Sequence, residues 1–165
     1  MSNYSGNFRN CECKDCYWVI KEVYFFDMHM SEVASLIQAY AAQPIGQWVL
    51  EQFDIVYELE NSLCGDDIVV YALLSSDKLT IEKFSHAWSP QMFTLASASI
   101  LAEQVQWELV STVLQWWVST MENRWLYVSP RRKRATVTAL LALHNGLVEY
   151  LSQWEKRDYE TILQQ

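Results

Sequence analysis

Apolar residues recur along this chain at helical spacing, and the first clear case follows Ser31. Val33, Leu36, Ile37 and Tyr40 fall at i, i+3, i+4 and i+7, one face of a helix that Ser31 caps and Pro44 closes. Upstream, Tyr17-Trp18-Val19-Ile20 and Val23-Tyr24-Phe25-Phe26 form an aromatic, β-branched run that suits a strand or a buried helix. With no partner strand evident downstream, helix is the expectation there. Across 48–63, Phe53, Val56, Leu59 and Leu63 share one side, and Glu51, Asp54, Glu58 and Glu60 lie largely on the other. A further amphipathic helix follows, relaxed at Gly65. The apolar run 68–74 leads into polar Ser75-Ser76-Asp77-Lys78, and 80–88 reads as a short helix stopped by Ser89-Pro90. Phe93, Ala96, Ile100 and Leu101 mark another helix over 91–103.

Two later segments differ in kind. Over 104–121 the only charge is Glu108, with Trp107, Val110, Leu114, Trp117 and Met121 on one stripe; over 135–153 the only charge is Glu149. A helix apolar nearly all round is surrounded by protein or lipid, and the Gln, Ser and Thr residues that interrupt the first segment argue against a membrane span. The pattern therefore predicts an all-α fold: a helical bundle with a hydrophobic central helical hairpin, broken at Pro130 and wrapped by amphipathic helices.

Composition supports helices. Glycine and proline together are 4 + 3 = 7 of 165 residues, about 4% where an average chain has roughly 12%, too few turn-formers for an all-β sandwich or barrel. At 165 residues the chain fits a single domain over 17–165, preceded by a polar, flexible segment at 1–16. A net charge of −8 argues against nucleic acid as a partner. The one basic run, Arg131-Arg132-Lys133-Arg134, reads as a solvated helix start. No apolar stretch follows a basic leader, so the chain is expected to be intracellular.

Candidate chemistry is sparse. Cys11, Cys13 and Cys16 fall within six residues and could supply three zinc ligands, with Cys64 or His29 as a fourth. Free thiols in a reducing cytosol are the alternative expectation, and no metal or cofactor is assigned. His29, His86 and His144 are isolated in sequence, and no Gly-rich phosphate loop or nucleophile elbow occurs. An enzyme is not expected.

Several local motifs resemble the Bcl-2 family of apoptosis regulators. Val105-Gln106-Trp107-Glu108-Leu109-Val110 looks like its BH-1 motif, and Ser129-Pro130 follows at the spacing of its next core helix. Trp154 and Tyr159-Glu160-Thr161-Ile162-Leu163 resemble BH-2, and Gly65-Asp66-Asp67 sits near the family's own BH-3 position. Glu108 and Leu109 stand where the family has glycine and arginine, the departures typical of a viral Bcl-2 homologue. The resemblance implies an anti-apoptotic protein of the host cytoplasm or mitochondrial surface, one that captures BH-3 helices of pro-apoptotic partners such as Bim, Bak or Bax. The groove would be lined by Tyr71, Leu74, Phe84, Phe93, Ile100, Trp107 and Val110, and the same trough could form a homodimer. The competing reading is a zinc-stabilised helical interaction protein built on Cys11, Cys13 and Cys16.

Overall fold

The computed structural model describes residues 30–61, 65–88, 91–124, 128–152 and 155–164. The expected flexible segment at 1–16, the expected helix at 17–28, all four cysteines, His29 and Trp154 lie outside these residues.

Where helices were expected over 48–63 and 80–88, the chain forms strands. β1 (Ile55–Asn61), β2 (Asp66–Leu74) and β3 (Ile81–Ala87) make a three-stranded antiparallel sheet in the order β1-β2-β3. The all-α bundle is thus corrected to a mixed α/β fold. The cause is visible in β1, where Ile55, Tyr57 and Leu59 alternate with exposed Val56, Glu58 and Glu60 at period 2. Val56 and Phe53, both apolar and largely exposed, had mimicked a helical stripe. In β2 the β-branched Ile68-Val69-Val70 suits a pleated surface. Register pairs Ile55 with Ala72 and Val70 with His86, so Ile55, Tyr57, Leu59, Ile68, Val70, Ala72, Phe84 and His86 share one face.

That face carries the helices. α1 (Met30–Ala42), α2 (Met92–Val105) and α5 (Lys133–Leu151) fall close to where the periodicity placed them. α5 packs on β1 and β2, α2 on β3 and α5, and α1 on α2. α5 approaches β1 so closely that a Cβ on Gly146 would lie 2.7 Å from Ile55 Cγ2. The core between the layers holds Ile68, Ile81, Ile100, Leu101, Leu140, Leu141, Leu143 and Leu147, all fully buried.

The expected central helix over 104–121 does not exist. α2 ends at Val105, and Trp107 turns the chain with φ of 69°. Only short helices follow, α3 (Val110–Val113) and α4 (Val118–Arg124). The segment is claimed by the sheet: Trp107 N–H donates to Ile81 O (2.7 Å), Ile81 N–H to Glu108 O (3.0 Å) and Val110 N–H to Leu79 O (2.9 Å). Backbone groups bonded sideways to a strand cannot also continue a helical ladder. A 3₁₀ turn at Pro130–Arg132 leads into α5, and α6 (Tyr159–Leu163) closes the described chain. Among the described residues no helix is long and apolar enough to cross a membrane.

Candidate functional site

The β1–β2 hairpin turns at Gly65, whose N–H donates to Asn61 O at 2.8 Å. Gly65 adopts φ of +66°, a conformation that costs other residues about 1 kcal/mol, and, its chain neighbours aside, no atom of the described residues lies within 4 Å of where its Cβ would be. Immediately after it, Asp66 starts β2 fully buried. Its Oδ1 accepts the Gln91 N–H at 2.7 Å and its Oδ2 accepts the Thr94 hydroxyl at 2.8 Å. One carboxylate thus docks the hairpin onto the start of α2 and satisfies a backbone N–H that the helix cannot pair itself.

Two further helices begin at the same end. Ser97 of α2 donates to Ala135 O in the first turn of α5 at 3.4 Å, and the Arg132 guanidinium lies 4.6 Å above the Phe93 ring. α1 runs parallel to α2. Tyr40 donates to Glu103 near their C-termini, while Val33 and Ile37 line a cleft with Met92 and Phe93 near their N-termini. The N-termini of α1, α2 and α5 therefore point to the end that carries the β1–β2 turn. Each N-terminus contributes partial positive charge, and Arg131, Arg132, Lys133 and Arg134 add formal charge, with Arg134 paired to Glu160. Positive surroundings favour anions and the thiolate form of a cysteine, although Glu32 in the first turn of α1 and Asp67 at the start of β2 set negative charge against them. Cys64, the only cysteine after residue 16, directly precedes Gly65 in sequence.

The starts of α2 and α5 bring no thiol. Gln91 precedes α2, and Arg134 occupies the first turn of α5. Among the described residues no group of three or more His, Cys, Asp or Glu is placed to hold a metal ion.

The buried histidines stand elsewhere. His86 Nε2 lies 3.0 Å from Ile45 O, and its Nδ1 has no hydrogen-bond partner among the described residues. Burial pushes its imidazole below the ordinary range. In α5, neither ring nitrogen of His144 makes a hydrogen bond of good geometry among the described residues, although Asn145 and the Leu114 backbone lie near enough to oppose the shift, and burial, reinforced by the nearby Arg157 charge, pushes its pKa down to about 4. Both are neutral packing groups near pH 7.

The seven residues expected to line one groove are scattered. Leu74, Phe84, Ile100 and Val110 belong to the buried core. Tyr71 is on the sheet face opposite Phe84, with its ring 5.3 Å from that of Phe53. Phe93 borders the cleft between α1 and α2, and Trp107 is exposed at the α2–α3 turn. Sequence reasoning missed Asp66 and Thr94, having read Gly65 as the relaxed end of a helix and Gly65-Asp66-Asp67 as lying near a BH-3 position. The available signal was a turn-forming glycine between two β-rich runs.

No family model matches the chain, and no curated protein does. Among solved structures it is similar to a putative iron–sulfur cluster assembly scaffold protein for the SUF system from Fervidobacterium islandicum AW-1. That match has 16% identity and a TM-score of 0.59, and covers 72% of this chain and 99% of that one. The N-terminal part of a nitrogen-fixing NifU-like protein from Brucella abortus matches at 19% identity and a TM-score of 0.58, covering 76% of this chain and 100% of that one. A hypothetical protein matches at 16% identity and a TM-score of 0.55, covering 71% and 97%.

These likenesses show the fold, and they overturn the Bcl-2 resemblance. The BH-1-like residues form a turn paired to β3, and Gly65-Asp66 is a hairpin turn. With them fall the viral anti-apoptotic role, the capture of Bim, Bak or Bax BH-3 helices, and a homodimer through that groove. The zinc-stabilised helical alternative gains no support either, since the domain is not a helical bundle.

Proposed function

We propose that this chain works in iron–sulfur cluster assembly, with Cys64 as the thiol that engages iron or sulfur and the cluster as cargo. One observation carries the reading. In a fold similar to that of the cluster-assembly scaffold, the only cysteine beyond residue 16 precedes Gly65-Asp66, at the end where three long helices start.

The residues divide the work simply. Asp66, held by Gln91 and Thr94, fixes the base of the hairpin loop against α2. The described residues leave the space where a Gly65 Cβ would stand free. The α5 start, with its run of Arg and Lys, favours the thiolate, which is the form that binds metal. Protein-bound clusters take several thiolates, and this end fits in kind but supplies one. Cys11, Cys13 and Cys16 are the thiols left in the chain for the remainder. The protein would act by binding and release, without catalysis of its own.

Anaerobic incubation of the full chain with a mixture of ferrous and ferric iron and sulfide tests the reading, through bound iron, acid-labile sulfide and visible charge-transfer absorption. Wild type is expected to take up both elements and Cys64→Ser to lose them. Absence of uptake, or equal uptake by Cys64→Ser, would overturn it. A Cys11→Ser, Cys13→Ser, Cys16→Ser triple variant reports whether those thiols complete the set.

A further inference from the structure

Beside the convergent end, α1, α2 and the chain before α5 enclose a cleft of about 270 Å³. Its walls are Val33, Ala34 and Ile37 of α1, Met92 and Phe93 of α2, and Val128. The walls are apolar and the rim is not. Arg132 lines the mouth with its guanidinium over Phe93, and Arg131 beside it is exposed. Lys133 and Arg134 continue the run, and the N-terminus of the 19-residue helix α5 adds its dipole. In a chain of net charge −8 this is the one concentrated cationic stretch.

We infer that the cleft is a docking site for a segment of a partner protein that carries a large apolar side chain flanked by Asp or Glu. The apolar residue would enter between Ala34 and Phe93, and its acidic neighbours would meet Arg131 and Arg132. Charge selects this occupant. An apolar pocket alone accepts any hydrophobic side chain, whereas the Arg132 guanidinium on the lining, with exposed Arg131 next to it in sequence, rewards carboxylates and repels basic flanks. The inference adds to the cluster-assembly reading a surface for a partner that brings iron or sulfur to Cys64 or removes the product. For that role it rests on the reading. Met92 and Phe93, which wall the cleft, lie between Gln91 and Thr94, which hold Asp66, so cleft and thiol loop share the first turn of α2.

The test measures fluorescence anisotropy of a labelled peptide, Glu-Asp-Leu-Phe-Asp-Glu, against the full chain. Saturable binding is expected, weakening as salt rises. It should be reduced about tenfold in R131E/R132E, which changes exposed positions only, and at least as much in Ala34→Trp, which fills the cleft. A control peptide with lysine in place of the acids should bind about tenfold more weakly or not at all. Circular dichroism confirms that the variants fold. No saturable binding would overturn the inference, and so would equal binding by both variants or by the lysine peptide. Binding of vesicles rich in phosphatidylserine in place of the peptide would reassign the rim to a lipid surface and also overturn it. Iron and sulfide uptake is followed in parallel. Uptake that needs Cys64 without peptide binding refutes the docking site alone, and peptide binding without uptake refutes the cluster reading while leaving the docking site intact.

Discussion

Thr94 in the first turn of α2 donates its hydroxyl to the buried carboxylate of Asp66 at 2.8 Å, and so ties the helix to the start of β2. The tie is charge-assisted, so Thr94→Val, which keeps shape and removes the donor, is expected to lower stability by about 1.5–3 kcal/mol. Asp66→Ala strands the Gln91 N–H as well, and a larger loss of about 3–5 kcal/mol is expected. Denaturant unfolding of both variants gives the comparison. Equal losses would mean that the Gln91 bond contributes nothing.

His144 gives stability a defined pH dependence. Its folded pKa is about 4, against roughly 6.5 when unfolded. Above pH ~6.5 both states carry a neutral ring; as pH falls below that, the unfolded chain gains a proton that the native ring refuses. Stability should therefore fall between about pH 6.5 and about 4, by up to about 3 kcal/mol from this residue. His86, whose pKa burial also lowers, acts in the same direction. Urea unfolding at about pH 7 and about pH 4.5 measures the slope, and His144→Leu should flatten it. An unchanged slope in that variant would remove His144 as its source.

The glycines separate backbone strain from crowding. Gly46 has φ of +75°, and a Cβ there would stand 2.8 Å from Ala102 Cβ, so Gly46→Ala meets both penalties. Gly65→Ala meets the left-handed backbone alone, with open space around it. The expected costs are about 2–4 kcal/mol for the first and about 1 kcal/mol for the second. Gly146 reverses the terms. Alanine suits a helix interior better by about 1 kcal/mol, but its Cβ would press on Ile55 Cγ2 at 2.7 Å and Tyr57 Cβ at 3.1 Å, and net destabilisation is expected. Thermal unfolding of the three variants should rank Gly46→Ala as the most damaging.

The helices were legible for two reasons, one buried face in α1 and, in α5, a run buried from Ala135 to Val148 that is too long for a strand. Val33 and Ile37 in α1, and the long apolar run of α5, are recognised without knowledge of the neighbours. The strands were not. Ile55, Tyr57 and Leu59 alternate correctly, but exposed Val56 and Phe53 overlay a helical stripe on the same residues. In β3, Phe84, Ser85 and His86 are all buried in succession, so neither period appears. The break at Trp107 depends on bonds to Ile81, 26 positions back in the chain, which no local pattern records. At the site, Cys64 was noted as a ligand candidate, whereas the value of Asp66 lies in its partners Gln91 and Thr94, which tertiary structure alone brings to it.

Arg157 and His144 should prove coupled. The Arg157 guanidinium donates to Leu114 O (2.8 Å) and Trp116 O (3.2 Å) and stacks 3.4 Å from the Trp117 ring centroid. Asn145 clamps the Arg157 backbone through two bonds of 2.9 Å. A lysine cannot span both carbonyls in one plane, so Arg157→Lys is expected to cost about 1–3 kcal/mol at neutral pH. Arg157→Met removes the charge outright, and it should lower stability further at neutral pH while changing the acid limb in the opposite sense. Without the neighbouring cation, which helps to depress the His144 pKa, the ring should titrate nearer its ordinary value. The window of acid destabilisation then narrows, and the variant loses less on going from neutral to acid than wild type does. NMR titration of the His144 ring in Arg157→Met gives the shift directly. A pKa still near the wild-type value of about 4 would mean that burial alone sets it, and that Arg157 serves only to pin the α3–α4 turn to the end of the chain.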